Sequence, residues 1–114
     1  KKDYETAANY LSKALEQAKD DNARIAINAS IGQCWFYKAQ ERVAAVKGVL
    51  SPAARAQFNE VYNKAISYLE TAKKLDTLKE QKSAWAYPLY GCYYFVKGAQ
   101  APETLAAAAD AGVQ

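Results

Sequence analysis

Apolar residues recur at intervals of three and four along most of the chain, the spacing that places them on one face of an α-helix. Residues 3–19 carry such a stripe, and in a second stretch Ile27, Ile31 and Trp35 follow one another at every fourth position. Short polar segments, or segments with Gly or Pro, interrupt the pattern. We therefore expect an all-α protein with four long helices and a short last one, at residues 3–19, 23–47, 52–76, 78–97 and 102–111.

Residues that favour helix ends flank these stretches. The predicted start signals are Asp21 or Asn22 for the second helix, the pair Ser51-Pro52 for the third, and a capping box of Thr77 with Glu80 for the fourth. Gly48 and Gly98 are the predicted stops. Pro88 falls inside the fourth stretch, where it removes a backbone donor, so we expect a kink or a restart there.

The chain also repeats itself. A shift of 59 positions carries Gly32 onto Gly91, Phe36 onto Phe95 and Trp35 onto Tyr94. A shift of 58 positions carries the first helix onto the third, matching Tyr4, Ala7, Tyr10, Leu11 and Ala14 with Tyr62, Ala65, Tyr68, Leu69 and Ala72. A fixed period of this kind indicates a repeat architecture, in which each unit buries its apolar face against its neighbours.

These positions resemble the tetratricopeptide repeat, whose helices A and B alternate small and large residues. Helix two supplies the A-type residues Ile31, Gly32, Trp35 and Ala39, and helix four supplies Tyr87, Tyr90, Gly91 and Tyr94. Helices one and three supply the B-type residues, which are those matched above at a shift of 58 positions. The resemblance implies a right-handed solenoid of antiparallel helix pairs, in which the glycines and alanines permit close approach and the aromatic residues fill wider gaps.

The repeat here is longer than that of the family, whose period is about 34 residues. The excess lies where helices two and three meet, so we expect this pair to project past its neighbours by roughly three turns. The extended arm at residues 40–57 has no assigned role. Because the chain begins in a B-type helix, we expect residues 1–114 to form a single domain within a longer chain. A further resemblance, to repeat proteins exported by Bacteroidetes-type bacteria, favours a periplasmic or secreted location.

Composition narrows the function. The 114 residues are 51% hydrophobic and carry a net charge of +3, with acidic and basic residues interspersed. This charge is too small to argue for nucleic acid. No apolar run approaches the roughly 18 residues that a membrane span needs. The chain has no histidine and no Gly-rich phosphate loop, so we predict neither an enzyme nor a cofactor.

The remaining candidates for chemistry are few. Cys34 and Cys92 lie on different helices and match no metal or redox motif, so we expect small buried thiols without a disulfide between them. The pair Asp20-Asp21 is interpreted as a solvated turn that favours a helix start, and not as a metal site. The sequence therefore points to a surface and not to an active site.

By the resemblance, A helices line the inner face of the solenoid and bind the partner. The residues expected there are Ala29, Gln33, Phe36, Tyr37, Trp85, Cys92, Phe95 and Val96. Their apolar and aromatic character favours an amphipathic helix or peptide as the partner, and makes this a non-catalytic protein-interaction scaffold. For each of these residues, burial against a neighbouring helix is the alternative.

Two other functions stay open. Exposed apolar helix faces could instead serve self-association or docking into a larger assembly. Aromatic residues next to lysines, as at Trp35 with Lys38, could stack on the bases of a nucleic acid. We expect no nucleic acid as partner, because at helical spacing lysine stems more often cover core aromatics.

Overall fold

The computed structural model describes residues 3–46, 48 and 51–97, and these residues form four α-helices. The helices are α1 (Tyr4–Gln17), α2 (Asp21–Ala45), α3 (Pro52–Leu75) and α4 (Lys82–Lys97). No strand occurs within these ranges. The prediction of an all-α protein is confirmed for this part of the chain, while the predicted helix at 102–111 and the stop at Gly98 lie outside it.

Helix α2 lies at the centre of the arrangement. It contacts α1, α3 and α4, and α3 also contacts α4, whereas α1 packs against no other described helix. The core lies between α2, α3 and α4, and its fully buried side chains include Ala39, Ala65, Leu69, Ala72, Trp85 and Leu89. The duplicated alanines of α3 therefore pack as the repeat predicts, but their counterparts on α1 have one neighbouring helix only.

The N-cap of α2 is Asp20, and not Asp21 or Asn22 as predicted. Its carboxylate accepts a hydrogen bond from the backbone N–H of Ala23 at 2.9 Å, and the helix starts at the next residue. The start signal of α3 is confirmed, since the Ser51 hydroxyl accepts from the backbone N–H of Ala54 with Pro52 as the first helical residue.

The start of α4 differs more from the prediction. The capping box of Thr77 with Glu80 does not form, and the helix begins at Lys82 instead of residue 78. Asp76 is responsible, because its carboxylate is buried and accepts from the backbone N–H groups of Glu80 (3.0 Å) and Gln81 (2.9 Å). Lys79 turns the chain between them with a φ of 59°.

Helix α4 continues through Pro88, so the predicted restart does not occur. A proline at position 88 cannot donate to the carbonyl of Ala84, four residues earlier. The side-chain amide of Gln33, on α2, donates to this carbonyl instead, at 2.7 Å. A tertiary contact thus satisfies the acceptor that the proline leaves without a backbone donor.

We expect the replacement Gln33→Ala to lower the free energy of unfolding by about 1 kcal/mol, since it leaves a partly buried carbonyl without its donor. In a Pro88→Ala background the backbone N–H of residue 88 can make that bond, so the same replacement should cost much less. Urea denaturation of the four proteins measures the coupling. Equal costs in the two backgrounds would contradict this role of Gln33.

The α2–α3 pair projects less than predicted. The Arg55 guanidinium, in the first turn of α3, donates to the carbonyl of Phe95 at 2.7 Å and lies 4.9 Å from the Phe95 ring. Helix α4 therefore reaches the first turn of α3. The first turn of α1 lies level with Lys38 of α2, because Glu5 pairs with that lysine. Helix α2 continues from there to Ala45, about two turns farther. The projection of three turns is wrong because both neighbours run along most of the pair.

Candidate interaction site

The structure places four of the predicted inner-face residues in the core. Ala29, Phe36, Trp85 and Cys92 have at most 2% of their surface exposed. Phe36 packs edge-on against the Tyr62 ring of α3, which shows why α2 does not present it to solvent. The expectation that these four form an accessible face is wrong, and the alternative of burial against neighbouring helices holds for them.

The other four predicted residues are only partly available. Gln33 is engaged with the Ala84 carbonyl, and the half-buried Phe95 stacks on Tyr62 with ring centroids 4.2 Å apart. Val96 is half-buried against the core. Tyr37 is 41% exposed and lies beside Tyr4 on α1, with ring centroids 5.9 Å apart. The predicted set therefore contributes one tyrosine to the surface, and not a continuous face.

A groove that the sequence did not indicate lies between α3 and α4. Its volume is about 810 Å³, and it is open to solvent. The groove is lined by the apolar side chains Ile66, Leu75 and Tyr93, by the lysines Lys73, Lys74 and Lys79, and by polar residues that include Glu70. The adjacent lysines before Leu75 were the available signal, but the pattern of α3 alone does not show that α4 faces them.

Contacts within the groove hold its side chains in place. The Tyr93 hydroxyl donates to the Glu70 carboxylate. Burial, and then this carboxylate, raise the pKa of the Tyr93 phenol. The Lys73 ammonium lies 5.6 Å from the Tyr90 ring, and that of Lys79 lies 5.1 Å from the Trp85 ring. The groove therefore has an apolar floor and an excess of positive charge at its rim.

Both cysteines are free, but of the two thiols predicted to be buried only Cys92 is so, and Cys34 is half-buried. Cys92 is buried, which raises the pKa of its thiol to about 12, and burial also raises the pKa of the half-buried Cys34. Both thiols are protonated at neutral pH and are poor nucleophiles. Among the described residues, no three His, Cys, Asp or Glu side chains lie close enough to hold a metal ion.

Two lysine ammonium groups lie close to the Trp35 ring. The Lys64 ammonium, on α3, lies 4.4 Å from its ring centroid, and that of Lys38 lies 5.2 Å away. These cation–π contacts occupy the ring that could otherwise stack on a base. None of α1 to α4 is long and apolar enough to cross a membrane.

Comparison with protein-family models, with curated proteins and with solved structures finds no match to this chain.

Proposed function

We propose that this protein is a non-catalytic protein-interaction module that binds an acidic peptide with apolar residues in the α3–α4 groove. The observation that carries the proposal is the groove itself, because it combines apolar side chains of α3 and α4 with lysines of α3 and of the turn that follows it. An apolar side chain of the peptide would lie on Ile66, Leu75 and Tyr93. Its carboxylates would pair with the lysines at the rim.

The charges in the groove favour this partner. Among the residues that line the groove with Lys73, Lys74 and Lys79, the one acidic side chain is Glu70, whose carboxylate already accepts from Tyr93. Lys79 also lies near the buried Asp76 carboxylate. The lysine stems add apolar surface while their ammonium groups stay at the rim. An acidic peptide would therefore gain charge pairing in addition to burial of its apolar residues.

The helix arrangement supports a repeat-type scaffold. Helix α2 pairs with α3, and α4 contacts both, so α4 lies against the two helices that precede it. We propose that the chain is a tetratricopeptide-like solenoid on this ground and on its internal repeat. The groove then lies on the B-helix side, and not on the inner face that the resemblance implies.

Fluorescence anisotropy with a labelled peptide of alternating Glu and Leu residues tests the proposal. We expect binding that weakens with salt, and an affinity about tenfold lower for the variant Lys74→Glu. Lys19→Glu is the matched control, since Lys19 is an exposed lysine outside the groove. The same peptide with Lys for Glu should not bind.

Equal affinity of the Lys74→Glu and Lys19→Glu variants would place the peptide elsewhere and refute the groove. Absence of binding to the unmodified protein would also count against it. Circular dichroism of each variant confirms that the helices persist.

A further inference from the structure

The internal repeat leaves one face of α1 and one face of α4 uncovered by the described residues, and these two faces are complementary in pattern. Within the chain, α3 covers α2: a methyl group at Gly32 would lie 2.7 Å from Leu69 Cδ2 and 3.2 Å from the Ala65 carbonyl. Lys64 of α3 lies over Trp35 of α2. The Gly-aromatic stripe of α2 and the Ala-Leu stripe of α3 thus form one interface. Each stripe has a second copy in the chain, on α4 and on α1 respectively.

The copy on α1 is uncovered on one side. Leu69, Ala65 and Ala72 on α3 are fully buried, but Ala7 is exposed and Leu11 and Ala14 are only half-buried. Tyr10, in the same stripe, is 76% exposed, although its counterpart Tyr68 is half-buried. A shallow groove of about 280 Å³ runs along this face. The face of α1 that corresponds to the α2-binding face of α3 therefore lacks its helix among the described residues.

The copy on α4 is uncovered in the complementary way. Tyr87 and Tyr94, which correspond to Asn28 and Trp35, are exposed. A methyl group at Gly91 would meet only the Phe36 ring of α2, and no described residue takes the place that Leu69 takes at Gly32. The stripe of Tyr87, Gly91 and Tyr94 thus has the small-and-aromatic pattern of an A-type face, and no B-type helix of the described part of the chain lies on it.

We infer that two copies of this chain associate head to tail, with the α1 stripe of one copy packing on the α4 stripe of the next. The contact would reproduce between chains the α2–α3 interface that the structure shows within the chain. Because the two faces differ, this contact is heterologous, and each added copy leaves a new α1 or α4 face open. The inference uses neither the groove nor its peptide, so it stands apart from the proposed function.

Sedimentation velocity over a range of protein concentrations tests this inference with two variants. Tyr10→Glu places a charge in the α1 face, and Tyr94→Glu places one in the α4 face. We expect the unmodified protein to form species larger than dimers, and each variant alone to associate about thirtyfold more weakly. Leu78→Glu is the matched control, because Leu78 is exposed to the same degree as Tyr10 but lies in neither stripe.

A mixture of the two variants gives the decisive result. Each variant keeps one intact face, so an equimolar mixture should form a dimer of one Tyr10→Glu and one Tyr94→Glu chain, and nothing larger. Failure of the mixture to associate, or a symmetric dimer of the unmodified protein, would overturn the inference.

A protein that stays monomeric would overturn it as well. If such a monomer begins to assemble when the chain is ended at residue 97, the covering helix is the chain's own segment 98–114. If circular dichroism shows that the Glu replacement unfolds either variant, Ser is placed at the same position instead of Glu.

Discussion

Replacing Asp76 with alanine is expected to lower the free energy of unfolding by about 3 kcal/mol. The carboxylate accepts three hydrogen bonds, from the backbone N–H groups of Glu80 and Gln81 and from the indole of Trp85 at 2.9 Å. Its loss leaves two backbone N–H groups in the turn before α4, and a buried indole N–H, without an acceptor. Urea denaturation followed by circular dichroism measures the change.

Asp20→Ala is the matched control, because Asp20 is an exposed cap with a single bond to the Ala23 N–H. We expect it to cost about 1 kcal/mol. If the two replacements cost the same, the Trp85 bond contributes nothing to stability.

The same carboxylate makes stability depend on pH. Burial by itself would raise the pKa of Asp76, but the hydrogen bonds from Trp85, Gln81 and Glu80 lower it below its usual value of 3.8. The stabilisation is therefore present above the pKa of the unfolded chain and is lost as the pH falls through the lower, folded pKa. The Asp76→Ala variant should lose less stability between neutral pH and this acid range than the unmodified protein.

Gly32→Ala is expected to lower the free energy of unfolding by about 2 kcal/mol. Its methyl group would meet Leu69 and the Ala65 carbonyl, and the backbone of α3 cannot move away without opening the core. The gain in helix propensity, about 1 kcal/mol, offsets part of a larger packing cost. Thermal and urea denaturation both report the change.

The Leu69→Ala background separates this collision from other effects. Alone, Leu69→Ala should cost about 2 to 5 kcal/mol, because Leu69 is fully buried. In the double variant the methyl group at position 32 enters the space left by the leucine, so the combined cost should fall well below the sum. Gly91→Ala is the matched control, since only the outer atoms of the Phe36 ring, at 2.9 Å, must move. Additive costs would contradict the close approach of α2 and α3.

The helices could be predicted because their signals are local. The spacing of apolar residues and the Ser51-Pro52 start depend on residues within a few positions of each other. The start of α4 could not be predicted from such signals. Asp76, and not Thr77, holds the turn that precedes α4, because its carboxylate also meets Trp85, and that contact exists only once the turn has formed.

The position of the site depended on contacts that sequence spacing does not contain. The periodicity of α2 and α4 correctly grouped Phe36 and Trp85 as apolar, but which helices cover them decides whether they bind a partner or fill the core. Likewise, the lysines of α3 became part of a groove because α4 places Tyr93 opposite them.

The bond from Gln33 to the Ala84 carbonyl has a consequence for folding. It joins residues 51 positions apart, and it completes the hydrogen bonding of a helix that cannot complete it alone. In an isolated α4 this carbonyl would be left to water, so its hydrogen bond within the protein depends on the docking of α2. Separating α2 from α4 would therefore also weaken α4 at Pro88, so the stability of this turn is coupled to the packing of the two helices.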